Sequence, residues 1–257
     1  MINLPCSIER RRLQKDQLTK LGLAYKILDA TTVEDISDNT YKKHYYDWQR
    51  PLRKTEVACY FSHRAAWNRV IKSNKPALIL EDDAIMSRLL PELLHSLNTI
   101  ENTDLINLEN RSRKKFVSRS SIDIGYNSKL LRLYQDRTGA AGYILWPSGA
   151  KKLTLLEKNK GIGLADAHIT SCHSLKAFQV EPSPIIQLDQ CKDYGVNNIY
   201  LSVISKSTVS NNHNYKGGIY FFIKRLYYQF KLALRQLYIL TKSQRRYIII
   251  KKSDFIV

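Results

Sequence analysis

Lys75-Pro76-Ala77-Leu78-Ile79-Leu80-Glu81-Asp82-Asp83-Ala84-Ile85-Met86 runs four apolar residues straight into three consecutive acids. Pro76 suits the first residue of a strand, and Ala77 to Leu80 read as a short strand buried on both faces. Three carboxylates at its end repel one another, and burying them without a cation is costly. Hard oxygen ligands of this kind suit Mg²⁺ or Mn²⁺. With the backbone extended through the acids, Glu81 and Asp83 point to one face and Asp82 to the other. Asp83 is then the candidate metal ligand, with Glu81 beside it and Asp82 facing another part of a ligand. The competing reading is an acidic loop after a core strand.

Just before this strand, Thr55 is placed to cap a helix over 56–72, with Val57, Ala58, Phe61, Ala65 and Val70 on its apolar side. Glu56 and His63 are seven residues apart and share roughly one face. They either meet a ligand or support the acids from behind; a buried, hydrogen-bonded histidine is the ordinary alternative. Trp67 reads as core. Nearer the start, Ile2-Asn3-Leu4 forms a short strand ended by Pro5, and Ser7 caps a helix over 8–21 with Gly22 at C′. Arg10, Arg11 and Arg12 lie at the wrong end of that helix for its dipole, which fits an anionic ligand nearby or a solvated face. A second strand is expected over 24–28, and 31–52 shows no clear periodicity.

Beyond Met86 the pattern continues as a helix over 91–97, a strand over 104–108 and a basic, Ser-rich loop over 111–129 with room for a hairpin. Strands over 130–134, 178–180 and 185–187 and helices from Pro147 and from Ala165 complete it. The small residues Gly139-Ala140-Ala141-Gly142 permit close approach of a backbone or ligand. Strands alternating with helices favour an α/β fold.

The 257 residues allow one large domain, or one domain with an appendage. An apolar fraction of 44% supports a sizeable core. No run approaches the ~18–20 apolar residues of a membrane span, and the start lacks the apolar stretch of a secretory signal. Cys6, Cys59, Cys172 and Cys191 are scattered without a C-x-x-C pair, which fits free thiols in a reducing cytosol. His168, Cys172 and His173 offer an i,i+4 pair, but a structural zinc site wants four ligands and no second pair is in sight.

Charge is the anomaly. The chain carries +18, and from Leu201 onward eleven Lys or Arg face Asp254 alone, a balance of +10. Such a tail suits nucleic acid, an anionic membrane surface or a phosphorylated substrate. Residues 197–218, rich in Ser and Asn, read as a linker. In 219–243, Phe222, Leu226, Phe230, Ala233, Leu237 and Leu240 step by three and four. Lys224, Lys231, Arg235 and Lys242 take another face, with Tyr228 and Tyr238 interleaved. This basic amphipathic helix can lie on an anionic membrane, or dock on the globular body with its basic side in water.

Three stretches share one pattern: Ile2-Asn3-Leu4-Pro5 with Arg10-Arg11-Arg12; Glu56-Val57-Ala58-Cys59-Tyr60-Phe61-Ser62-His63 with Trp67 and Leu80-Glu81-Asp82-Asp83; and Gly139-Ala140-Ala141-Gly142-Tyr143 with Gly149-Ala150 and Ala165-Asp166. Together they resemble glycosyltransferase family 25, enzymes of bacterial lipooligosaccharide biosynthesis, over about residues 2–190. The first strand departs from the pattern by lacking the residues the family has before Asn-Leu. The resemblance implies a GT-A-like α/β fold with a mixed central sheet over 1–196, followed by the 197–218 linker and a basic helical tail over 219–257. It implies a UDP-hexose donor, usually UDP-galactose, and inversion to a β-linkage. It implies a divalent cation, Mn²⁺ or Mg²⁺. Eukaryotic relatives glycosylate collagen, and with no secretory route evident the bacterial setting is expected. That setting is the cytoplasm, peripheral on the inner face of the cytoplasmic membrane.

On this reading Asp83 holds the metal that neutralises the leaving diphosphate. Glu81 and Asp82 orient the donor. Asn3, Leu4, Arg11, Glu56 and His63 are further donor-binding candidates. Asp166, at the position of the family's later aspartate, is the candidate catalytic base beside Glu81; an N-cap is the compatible alternative. Arg111, Arg113 and Lys114 could hold acceptor phosphates or form a solvated basic loop. Two rival classes remain. A nucleic-acid binder would rest on the basic tail, but the front of the chain carries no RNA-binding signature and no nucleic acid is expected. A metal-dependent phosphoryl-transfer enzyme or nuclease would use the same acids, without a P-loop.

Overall fold

The computed structural model describes residues 1–136, 139–196 and 218–255. In chain order the elements are β1 (Ile2–Asn3), α1 (Ile8–Lys20), β2 (Leu28–Asp29), α2 (Asp38–His44), α3 (Lys54–Ser73), β3 (Ala77–Leu80), β4 (Ala84–Met86), α4 (Leu90–Leu97), β5 (Leu105–Asn107), β6 (Lys115–Asp123), β7 (Lys129–Gln135), β8 (Gly142–Leu145), α5 (Pro147–Lys160), α6 (Ala165–Ser171), β9 (Ala177–Glu181), β10 (Ile185–Gln187), α7 (Ile219–Leu240) and β11 (Ser243–Arg246). Seven strands form one mixed sheet in the order β11-β6-β7-β9-β5-β8-β3, in which β5 and β9 run parallel. Because side chains alternate along a strand, Leu105, Tyr143 and Leu145 face Val57, Tyr60 and Trp67 of α3. Ile106 and Ile144 face the other way, toward Leu90, Leu93 and Leu97 of α4. Helices on both faces of a mixed sheet bear out the α/β expectation.

The order of the strands positions the site. β3 and β5 flank β8 and run antiparallel to it, with Leu80 opposite Gly142 and Asn107 opposite Tyr143. The residues that follow β3 and β5 therefore emerge on either side of the start of β8.

Several expectations are corrected. The chain does not stay extended through the acids: Asp82 and Asp83 form a turn, the Ala84 N–H reaches the Glu81 carbonyl (3.3 Å), and β4 then pairs with β10. A turn separates three like charges and lets each find its own partners, so the alternating-face arrangement is lost. The α3 helix starts after Arg53, and Thr55 is inside it. The strand expected over 24–28 shrinks to Leu28–Asp29, because its partner β1 is two residues long. Within 31–52 a helix, α2, forms on a Ser37 cap that accepts from the Thr40 N–H (3.2 Å). About half of the loop expected over 111–129 is β6, which pairs with β7 in the hairpin that stretch had room for.

The end of the chain differs most. The expected 197–218 linker falls, save Gly218, outside the described residues. The helix expected over 219–243 stops at Leu240, and the segment expected as helical tail to 257 instead adds β11 to the outer edge of the sheet, antiparallel to β6. Ile248 and Phe255 are buried beyond it. Among the described residues no helix is long and apolar enough to cross a membrane.

Candidate active site

The three acids have three different environments. Asp82 is buried; its carboxylate accepts from Asn3 Nδ2 (2.8 Å) and Arg10 (3.0 Å). Glu81 Oε1 is bonded to His63 Nε2 (2.9 Å), and Oε2 accepts from Gln187 Nε2 (3.3 Å). Asp83 has Arg10 at 3.8 Å from Oδ2, while its Oδ1 is enclosed without a hydrogen-bond partner. Burial, then the charge of Glu81, pushes the Asp83 carboxyl up to about 7, against the opposing pull of Arg10. The turn is clamped from α1, where Gln14 and Gln17 both donate to the Ala84 carbonyl (2.6 and 3.0 Å).

Behind Glu81 runs a relay. Trp67 Nε1 donates to the Tyr143 hydroxyl (2.9 Å), and that hydroxyl meets His63 Nδ1 (3.0 Å). With Trp67 donating, the Tyr143 proton goes to Nδ1, and the Nε2–H donates to Glu81. His63 is thus a buried residue that fixes Glu81, and Trp67, read as core alone, is also the first donor of the chain.

Two further acids face this group. Glu109 follows β5 and is buried; its Oε2 accepts from the Ala141 N–H (2.7 Å), and its Oε1 has no partner. Burial first, then the charge of Glu81, holds its carboxyl well above the usual range. Asp166, in the first turn of α6, is likewise raised by burial and by Glu81, although it accepts from the Ala167 N–H (2.7 Å) and from the Gly139 backbone. The helix cap at that position is Leu164, so Asp166 is not the N-cap. The loop before β8 therefore holds both acids, Asp166 through Gly139 and Glu109 through Ala141. Gly139 has φ +91°, and a Cβ there would lie 2.5 Å from the Glu109 carboxyl carbon. The small residues of this run serve close approach, here by a carboxylate.

The acids suit a hard divalent cation. The enclosed, unpartnered Asp83 Oδ1 beside Glu81 is a carboxylate donor set of the kind that such ions take. Cys59 Sγ, a His63 nitrogen and a Glu81 oxygen also lie within 4.8 Å of one another. That trio fits less well: both His63 nitrogens are engaged, and desolvation followed by the charges of Glu81, Asp166, Asp83 and Glu56 pushes the Cys59 thiol up and keeps it protonated. His168, Cys172 and His173 make no such cluster among the described residues. His168 is buried with its Nε2 near the Tyr60 hydroxyl and the Leu153 carbonyl.

The remaining sequence candidates spread around this centre. Asn3 links Asp82 to Arg11 (Nε to Oδ1, 2.7 Å), and Arg11 reaches Asp29 (3.1 Å); Leu4 follows β1 and accepts from the Ser7 N–H. Glu56 lies apart, at the start of α3, paired with Arg50 and accepting from the Arg53 N–H. Arg111 pairs with Asp189 (2.7 Å), whose charge in turn acts on Asp83. Arg113 and Lys114 are exposed just before β6, with Lys114 over the Tyr247 ring. Sequence reading missed Glu109, Gln14 and Gln187, and it noted Arg10 only as one of three arginines near an anion. Arg10 and Gln14, four apart on α1, carry a signal of one shared face; Glu109 carries none without the strand order.

Comparison with known proteins points to one family. The family described as "Glycosyltransferase family 25 (LPS biosynthesis protein)" matches residues 1–170. A putative glycosyltransferase of Haemophilus influenzae is 28% identical over 170 residues, 64% of this chain and 59% of its own length. Procollagen galactosyltransferase 1-A of Xenopus laevis is 31% identical over 170 residues, 60% of this chain and 27% of its own. A glycosyltransferase 25 family member of Aedes aegypti is 27% identical over 175 residues, again 60% and 27%. The chain thus spans little more than half of the bacterial relative and about a quarter of the two animal ones. The family match contains the acid turn, Glu109 and Asp166, and ends before β9, α7 and β11.

Proposed function

Because this chain belongs to glycosyltransferase family 25, we propose that it moves a hexose, galactose first, from a UDP-sugar to a lipooligosaccharide or LPS core acceptor with inversion at the anomeric carbon. The name of the family supports the acceptor class, and the galactosyltransferase named among the relatives supports the hexose. The observation that carries the reading is the turn after β3, where Asp83 keeps an enclosed carboxylate oxygen without a partner while the charges of Glu81, Asp82 and Asp189 act on it. A GT-A-like nucleotide-sugar fold is part of the proposal, supported by the helix-covered mixed sheet with its acids at the ends of β3 and β5.

Asp83, with Glu81, would hold a divalent cation; when bound, the ion offsets the charge of the leaving diphosphate. The chain's own residues do the rest. His63, backed by Tyr143 and Trp67, fixes Glu81 toward the donor. Asp82, held by Asn3 and Arg10, braces the turn on the donor side, and Asn3 with Arg11 lines the edge that receives the nucleotide. Asp166, raised by burial, is suited to accept a proton. The acceptor hydroxyl attacks the anomeric carbon, the bond to the diphosphate oxygen breaks, UDP leaves, and the hydroxyl proton passes to Asp166. Arg111, Arg113 and Lys114 offer cations to acceptor phosphates. Such an acceptor places the enzyme in the cytoplasm at the inner membrane face.

The test is hydrolysis and transfer with a panel of UDP-sugars in Mn²⁺, in EDTA, and in Asp83→Ala. Turnover of one UDP-sugar that is lost in both controls supports the reading and names the donor. Turnover that survives both removes Asp83 from its role, and no binding of UDP by calorimetry sinks the nucleotide-sugar reading altogether.

A further inference from the structure

The α7 helix has two apolar faces. At 100° per residue, Phe221, Tyr228, Leu232 and Ile239 fall together, and they meet the body. Phe221 stacks on Tyr46 (5.6 Å between ring centres), Tyr228 packs on Trp48 (5.9 Å), and Ile239 is buried. Arg235 donates to the Tyr134 carbonyl and Lys224 to that of Tyr46. The stripe read from the sequence as the apolar side is on the opposite face. Ile223, Leu226, Phe230, Leu234 and Leu237 occupy an arc of about 80° half a turn from the docked face. They point into solvent, with Phe230 63% and Leu237 64% exposed. From Ile223 to Leu237 this face runs about 21 Å along the helix. An apolar surface that long on a docked helix marks an interaction site.

Charge indicates the occupant. No acid lies in α7. Along one border of the apolar face, lysines stand over tyrosine rings: Lys224 over Tyr220 (5.4 Å), Lys231 over Tyr227 (4.5 Å) and, just past the end of the helix, Lys242 over Tyr238 (4.8 Å). Aromatic rings capped by cations at the edge of an apolar stripe match the headgroup level of a bilayer, where tyrosine is favoured and lysine reaches lipid phosphate. A second copy of the chain would bring two such lysine borders together. We propose that the outer face of α7 lies on an anionic lipid bilayer while its inner face stays docked on the body. The helix lies along the surface and does not cross it. This docking does not depend on which sugar, if any, is transferred.

The test uses the full chain in co-sedimentation with vesicles of phosphatidylglycerol and phosphatidylethanolamine, with phosphatidylcholine vesicles as the neutral control. The expected result is binding to the anionic vesicles that weakens with salt. Phe230→Asp should weaken it more than tenfold, and Lys231→Gln about fivefold. Both side chains are exposed, so melting curves of the two variants should match the parent. As a second readout, an environment-sensitive dye on Phe230→Cys should shift on vesicles, and one on Tyr134→Cys should not. Equal binding to neutral vesicles, parental binding by Phe230→Asp, or a dimer that this variant dissociates without any vesicle binding would each overturn the proposal.

Discussion

The acid cleft and the outer face of α7 are opposites in composition and alike in kind. In the cleft, Asp83 Oδ1 and Glu109 Oε1 are enclosed polar atoms without partners. On α7, a row of large apolar side chains faces water. Each is an uncompensated surface, and each stands on a well-bonded foundation. The cleft is braced by Asn3, Arg10 and Gln14; the tail is tied by β11 and by Arg246, bidentate on Glu181 at 2.5 and 2.6 Å. The difference teaches what each lacks. Missing charge compensation is what the proposed cation would supply, and missing apolar cover is what the proposed lipid would supply.

The largest expected effect sharpens the cleft side. Asp83→Asn should lower transfer by at least about a hundredfold and yet leave the fold intact. The Asp83 carboxyl is raised from 3.8 to about 7 in the folded protein. Its contribution to stability is therefore fully present below pH ~4 and is lost as pH rises through about 7. Melting curves of the metal-free protein should fall across that window, and the Asn variant should fall less. A flat parental profile would break the comparison at its first member.

Next, Gly139→Ala should cost about 2 kcal/mol or more, because the new Cβ meets the Glu109 carboxylate in a backbone region few side chains adopt. Activity should fall with it, since Gly139 and Ala141 hold Asp166 and Glu109; urea unfolding alongside initial rates would check both.

On the tail side, Glu181→Gln should cost about 2 kcal/mol by loosening the β11 seam, read by urea unfolding. Burial pushes the Glu181 carboxyl up, but Arg246 and the Ile249 N–H outweigh it and hold it below the ordinary range. That stability is present above the ordinary glutamate pKa and is lost as pH falls below it, so the variant's deficit should shrink in acid. Smallest of all, Lys54→Ala removes an exposed pair with Asp38 and should change neither stability beyond about 0.5 kcal/mol nor activity.

How far the sequence could be read follows the same division. The strand into Glu81-Asp82-Asp83 was legible because four apolar residues against three acids have few other uses. Asp166 was legible through its family position. Glu109 was not: it becomes a neighbour of Glu81 only because β5 and β3 flank β8, and strand order is not written in local pattern. The turn at Asp82-Asp83 was misread because spacing carries no information about Asn3 and Arg10 waiting to bind one member. In α7 the period and the exposed apolar stripe were legible, and the second apolar face that meets the body was not. Phe221, Tyr228, Leu232 and Ile239 make the smaller apolar set, and periodicity does not say which of two apolar faces meets the body.

The last strand has a consequence for synthesis. Gln244 reaches the Ser118 carbonyl across 126 residues, and β11 covers an edge of β6 that is otherwise open. A ribosome adding residues at ordinary rates needs roughly 6–25 s to cover that gap. Through that interval the nascent hairpin of β6 and β7 presents an unpaired edge. Chaperone occupancy should therefore peak on chains paused between those two strands, and shortening the C-terminus should show itself first as aggregation during translation.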